Sequence, residues 1–293
     1  MRVMILGGDG QLGSDCTLVL RGSHRVLSVD LPDLDITDLP AVKGVVRNFR
    51  PHVMVNCAAF TRVDECETRR DLACRVNVDG PANLAEAAKE GGAILIHVST
   101  DYVFDGRKQV PEAYTEEEIP EPASYYGETK LKAEEAVRRI TDDHMIIRTA
   151  WLYGIRGHNF LKTMLRLARQ DPHREIRVVN DQFGSPTWSY RLALQIVRLI
   201  ESGGRGTYHA TSEGCCTWYE LATRFLDTMG IRHFLVPCTT DEYPTPATRP
   251  MNSILENRRL KRQGINVMPD WKKDLEEFVS RFRDRLIREA DEG

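Results

Sequence analysis

The chain has 293 residues, with 40 Lys plus Arg against 43 Asp plus Glu and a net charge of −3 at neutral pH. That balance gives no electrostatic basis for nucleic acid or an anionic membrane as the main partner, and no apolar run reaches the roughly 18 to 20 residues of a membrane span. The seven cysteines are an odd number with no C-x-x-C pair, which argues against a disulfide framework or zinc site and for reduced thiols in the cytoplasm.

Residues 2–7, RVMILG, read as a buried strand, and a helix follows the glycines to about Arg21. The opening apolar run is short and ends at glycines, so no signal peptide is expected. HRVLSVD (24–30) is a second strand, and Asp38 can cap a helix running to about Asn48. HVMVNCAA (52–59) is a third strand, PANLAEAAKEG (81–91) a helix, and AILIHVST (93–100) a fourth strand. A helix containing ASYYGETKLKAEEA (123–136) and a fifth strand, HMIIRTAWLYG (144–154), complete the first half. Apolar strands separated by helices predict a parallel sheet covered on both faces. Right-handed crossovers make it an α/β, doubly wound fold of Rossmann type.

The second half is less regular. A helix is expected over 158–170, a strand over 175–181, and a helix over 216–230 opened by a Thr217/Glu220 capping box. Residues 241–250 are a proline-rich loop, and the tail from Pro269 is a charged amphipathic helix. The expected division is a dinucleotide-binding domain over 1–150 and a smaller region over 151–293. The latter is mainly substrate-binding, with some segments crossing back.

Gly7, Gly10 and Gly13 follow the first strand directly and open the first helix. A strand-to-helix turn of this kind needs backbone freedom, and a pyrophosphate pressed against it leaves no room for a Cβ. The helix N-terminus then offers unpaired N–H groups to the phosphates. The spacing is G-x-x-G-x-x-G rather than the commoner G-x-G-x-x-G. Asp30 ends the second strand, where a carboxylate takes the adenosine ribose hydroxyls of NAD and repels a 2′-phosphate. No arginine follows it closely, so NADH is favoured over NADPH. Asp9 should turn its carboxylate away from the phosphates.

Tyr126 and Lys130 are four apart, one turn along one helix face. An ammonium beside a phenol lowers the phenol's pKa from about 10, which suits proton delivery to an alkoxide. Tyr125 has Thr129 at the equivalent spacing, so helix geometry selects Tyr126. Ser99 and Thr100 sit at the C-terminal end of the fourth strand, where open α/β sheets bind ligands. A hydroxyl there can hydrogen-bond a substrate carbonyl oxygen.

Glycine loop, S-T-D-Y-V-F-D-G (99–106) and Y-x-x-x-K together resemble an extended short-chain dehydrogenase/reductase. GQLG (10–13), NCAAFTRVDECE (56–67), RTAWLYG (148–154), NFLKTML (159–165), DQFGSPT (181–187) and RPMNSIL (249–255) are similar to the dTDP-4-dehydrorhamnose reductase family. The similarity spans Arg2 to about Phe278. It implies hydride transfer from NADH or NADPH to the C4 ketone of a dTDP-4-keto-6-deoxy sugar. Tyr126 would be the proton donor, Lys130 its tuning partner and ribose contact, and Thr100 the group orienting the ketone. Gly7, Gly10, Gln11 and Leu12 would meet the pyrophosphate, with Asp30, Asp35 and Ile36 around the adenosine. Ala59, Phe60, Thr61 and Val98 would line the rest of the cofactor cleft. The sugar nucleotide would touch Thr100, Asp101, Tyr102, Trp151 and Arg249. The resemblance also implies a homodimer, and Mg²⁺ in some relatives; no metal ligands stand out here. Other readings of the same motifs are another nucleotide-sugar ketoreductase or epimerase, and a non-catalytic regulatory subunit like the one that binds methionine adenosyltransferase.

Overall fold

The computed structural model describes residues 1–292. In the first half β1 (Arg2–Leu6), α1 (Gln11–Leu20), β2 (Arg25–Val29), α2 (Leu39–Phe49) and β3 (Val53–Asn56) come first. Then follow α3 (Val63–Thr68), α4 (Arg70–Cys74), a π-helical turn (Arg75–Asp79), α5 (Gly80–Gly91), β4 (Ile94–Thr100), α6 (Tyr125–Ile140) and β5 (His144–Thr149). The second half holds β6 (Leu152–Tyr153), α7 (Phe160–Gln170), β7 (Glu175–Val179), β8 (Phe183–Gly184), β9 (Thr187–Trp188) and α8 (Ser189–Ser202). It ends with β10 (Gly206–His209), β11 (Cys216–Thr217), α9 (Trp218–Met229), β12 (Phe234–Cys238), α10 (Arg258–Arg262) and α11 (Trp271–Glu292).

Six parallel strands form the main sheet in the order β10-β5-β4-β3-β1-β2. The chain leaves β1 to one side for β2 and returns to the other side at β3. The strand order therefore reverses between β1 and β3, which opens a crevice at their C-terminal ends. Both faces of the sheet are covered, as continuous apolar strands require. Val3 and Ile5 pack on α1 and α8 through Cys16, Leu20, Leu192 and Ile196. Met4 and Leu6, pointing the other way, pack with Val42, Val46, Leu84 and Ala88 of α2 and α5.

Two elements depart from the expected pattern. The fifth strand stops at Thr149 instead of reaching 154, because Trp151 takes φ 46°, a left-handed conformation uncommon for a large side chain. Leu152 and Tyr153 then pair with Thr187 and Trp188 in a separate ribbon. Five strands were expected, and β10 is a sixth, aligned along β5 from Gly206↔Met145 to His209↔Arg148. It is delivered by α8, whose Ser189 hydroxyl donates to Asp15 of α1 at 2.6 Å. The second half has its own core, where Leu161, Leu165, Trp188, Phe225, Leu275 and Phe278 join α7, α9 and α11. The capping box of α9 forms as expected, Thr217 Oγ1 accepting from Glu220 N–H at 3.1 Å and Glu220 accepting from Thr217 N–H at 2.8 Å.

Candidate active site

At the crevice between β1 and β3, Gly7 takes φ +75°, and a Cβ there would stand 2.6 Å from the Ala58 backbone nitrogen. Only glycine lets the two loops close this tightly. No side chain caps the N-terminus of α1 and its first turn carries no acid, so its free N–H groups suit an anion. A cavity of about 370 Å³ opens beside it, lined by Gly7, Gly10, Asp30, Asp35, Ile36 and Ala59. The Asp9 carboxylate is on an exposed residue, as expected, while its N–H donates to Asp30 at 2.9 Å. The other Asp30 oxygen accepts from Leu31 N–H at 2.8 Å. The same cavity contains Arg75, carried there by the π-helical turn. No arginine follows Asp30 closely in the chain, and Arg75, distant in sequence, lines the same cavity.

A second cavity of about 500 Å³ shares Gly10, Cys57 and Ala59 with the first. Gln11, Leu12, Thr61, Val98, Thr100, Asp101, Tyr102, Tyr126, Lys130 and Trp151 line it. Phe60 lines neither cavity. Its N–H donates to Asn77 Oδ1 at 2.8 Å, and it packs against the cluster formed by Cys66, Ala73 and Tyr126.

α6 begins at the cavity, capped by Ser124, whose hydroxyl accepts from Gly127 N–H at 3.2 Å. A Cβ on Gly127 would lie 2.1 Å from the Tyr102 carbonyl oxygen, so this glycine lets the helix start against the Thr100–Tyr102 turn. Tyr126 and Lys130 face into the cavity, 8% and 2% exposed. Tyr125 faces elsewhere: its N–H donates to Glu67 at 2.8 Å, and the Arg70 guanidinium lies 4.6 Å over its ring.

The expected coupling of lysine to phenol is not what the geometry shows. Lys130 Nζ donates to the Val98 carbonyl at 2.7 Å and stands 3.4 Å from His97 Nε2, and among the described residues no hydrogen bond joins it to Tyr126. Burial pushes the Tyr126 phenol above its ordinary value, and the Asp101 carboxylate adds to this. Burial likewise pulls Lys130 down to about 8. The phenol therefore keeps its proton across the neutral range, the form a proton donor needs. Asp101 is itself buried, which raises it to about 6. One of its oxygens accepts from Thr100 Oγ1 at 2.9 Å, and among the described residues Oδ2 has no hydrogen-bond partner.

The far wall comes from the second half of the chain. Trp151 stacks on Trp218 with ring centroids 3.5 Å apart and planes 8° from parallel, so one of its faces is already covered. Trp218, the first residue of α9, also lines the cavity and has no motif of its own in the sequence. Arg249 lies outside this cavity, in an adjoining one of about 310 Å³ with Tyr102, Phe160 and Trp218. Its two terminal nitrogens donate to both oxygens of Asp64 at 2.9 and 2.8 Å. Arg249, expected to touch the sugar nucleotide, is thus ion-paired with Asp64 in the adjoining cavity.

The RmlD substrate binding domain family matches residues 1–284. A dTDP-4-dehydrorhamnose reductase from Aggregatibacter actinomycetemcomitans is 39% identical over 290 residues, covering 94% of this chain and 97% of that protein. A crystal structure of a dTDP-4-dehydrorhamnose reductase from Clostridium acetobutylicum superposes with a TM-score of 0.93 at 42% identity, covering 97% of this chain and 100% of that one. The enzyme of the same name from Bacillus anthracis, in complex with NADP, gives 0.92 at 40% identity, covering 96% and 99%. Matched end to end in sequence and in backbone, the chain belongs to the dTDP-4-dehydrorhamnose reductase family, whose members are nicotinamide-dependent oxidoreductases.

Proposed function

We propose that the protein reduces the C4 ketone of dTDP-6-deoxy-L-lyxo-4-hexulose to dTDP-L-rhamnose, using NADH or NADPH. The convergence of Thr100, Tyr126 and Lys130 on the cavity that continues from the α1 N-terminus carries this reading. The uncapped helix end and the space that a Cβ at Gly7 would fill suit a pyrophosphate. Gly10, Gln11 and Leu12 would hold it, Asp30 the ribose, and Asp35 and Ile36 the adenine. The cofactor supplies a hydride when bound. Tyr126 donates its proton to the oxygen that becomes the C4 hydroxyl, and Thr100 orients that oxygen. Lys130 steadies the phenolate left behind. Trp151, with Trp218 behind it, offers a flat face to the sugar. Arg249 acts by holding the 241–250 loop against Asp64.

Asp30 tips the cofactor balance toward NADH, and Arg75 across the adenosine cavity opposes it. Residues 1–150 carry the cofactor and 151–293 most of the sugar side in this reading. A homodimer working in the cytoplasm belongs to it, and sedimentation tests the dimer.

Oxidation of NADH and NADPH in the presence of the dTDP-4-keto sugar tests the function. Turnover that is lost in Tyr126→Phe and kept in Tyr125→Phe is expected. Turnover only with a different nucleotide-sugar ketone would remove the substrate and keep the mechanism.

A further inference from the structure

We propose that Asn56 and His97 are positioning residues that hold Lys130 toward its amine form, through a buried hydrogen-bond chain with a fixed direction. None of the three belongs to the sugar wall, and all are buried, at 1%, 0% and 2% exposure. The chain begins at a peptide group. Ala58 N–H donates to Asn56 Oδ1 at 3.1 Å, and a backbone N–H cannot reverse its role. That contact fixes which end of the amide is oxygen. Asn56 Nδ2, a donor only, therefore faces His97 Nδ1 at 3.1 Å, and Nδ1 must accept.

A neutral imidazole that accepts at Nδ1 carries its proton on Nε2. His97 is neutral, because burial, helped by the Arg138 charge, holds it well below its ordinary value. Its Nε2–H then points at Lys130 Nζ, 3.4 Å away. An ammonium has only donors, so a charged Lys130 meets a second donor there. An amine offers its lone pair to Nε2–H and still donates to the Val98 carbonyl at 2.7 Å. The chain thus runs Ala58 to Asn56 to His97 to Lys130, and its last link is satisfied only by the amine.

The other groups facing Lys130 do not replace this link. Glu134, the next turn of α6, favours the charged form. Its carboxylate is already bound by Arg148 from β5 at 2.7 Å, Arg138 at 2.6 Å and Ser99 at 2.6 Å. Cys57, from the loop after β3, pulls the same way. Tyr126 lies on the same helix face and stays protonated through the neutral range. The consequence for turnover rests on the proposed function. Burial already pulls Lys130 down to about 8, so its support of the phenolate is lost as pH rises past that point, earlier than for an ordinary lysine.

The tautomer can be read on the wild-type protein with ¹⁵N-labelled histidine, without cofactor or substrate. Long-range ¹H–¹⁵N correlations, with His97 assigned by its loss in His97→Asn, are expected to show Nε2–H; an Nδ1–H pattern overturns the proposal. Asn56→Asp presents two accepting oxygens, one for Ala58 N–H and one for His97 Nδ1–H. It is expected to turn His97 to Nδ1–H, and an unchanged tautomer would count against the fixed direction. Asn56→Leu frees the ring without adding charge. In ¹³Cε-lysine titrations, with Lys130 assigned by its loss in Lys130→Met, its pKa should rise by about one unit in that variant. An unmoved titration rejects the tuning. None of these readouts needs turnover, so failure of the keto-sugar assay would remove the function and leave the chain standing.

Discussion

The two walls of the cleft are built differently. The wall proposed for the cofactor is backbone: a glycine at positive φ, an uncapped helix end and the loop after β3, all anchored at the sheet's reversal point. The wall proposed for the sugar is side chains: Trp151 past β5, Trp218 opening α9, and Tyr102 at the turn after β4. A backbone wall leaves a local mark in the sequence, since few residues tolerate its geometry. A side-chain wall leaves little, because many residues can occupy a helix start or a strand end.

Four substitutions and one pH titration probe that contrast. Tyr126, which stands between the walls, carries the largest effect. Tyr126→Phe should lower kcat by about 10²–10⁴-fold, the range of a positioned general acid, while Tyr125→Phe stays within about twofold because its ring lies under Arg70 outside the cleft. Equal losses would break the helix-face selection of one tyrosine over the other.

On the cofactor wall, Gly7→Ala forces a Cβ toward the Ala58 nitrogen. Strain of about 1–3 kcal/mol in the loop is expected, seen calorimetrically as weaker NADPH binding with sugar-nucleotide binding little changed. On the sugar wall, Trp218→Ala removes the ring behind Trp151. A loss of about 0.5–1.5 kcal/mol is expected, read as a higher KM for the keto sugar with the cofactor KM unmoved. If each variant weakened both ligands alike, the two walls would not be separable.

A separate effect, on stability rather than turnover, is expected at His209 of β10. Burial and Arg148 lower it to about 3, and it hydrogen-bonds the Tyr114 carbonyl at 3.1 Å. Its unfolded value is about 6.5, so between these values the unfolded chain binds more protons. Stability from this group is whole above about pH 6.5 and falls as pH drops toward 3. His209→Gln should flatten the pH dependence of Tm in that window, at about 2–4 °C for each kcal/mol removed.

Much of the first half could be read directly. The strand-glycine-helix run and the Asp38 cap of α2, its carboxylate accepting from Ala41 N–H at 3.0 Å, rest on near-neighbour physics. So does the Tyr126/Lys130 face. Helix α8 also carries a readable stripe in Leu192, Ala193, Ile196, Leu199 and Ile200, although its role in delivering β10 to the sheet edge is visible only in three dimensions. The truncation of β5 was not readable, because HMIIRTAWLYG stays apolar through the point where Trp151 turns left-handed.

The sequence by itself determined the α/β class, the anion-ready turn, the choice of Tyr126 over Tyr125 and the family. Those follow from periods of two and 3.6 residues, glycine geometry and specific motifs, all local along the chain. Only the tertiary structure decided that Arg249 is bound by Asp64, that Trp218 backs Trp151, and that Lys130 meets His97 rather than the phenol. Each of those pairs is set by how separate elements pack, and the hydrogen bonds and stacking that hold them cannot form until the sheet and its covering helices have brought them within reach.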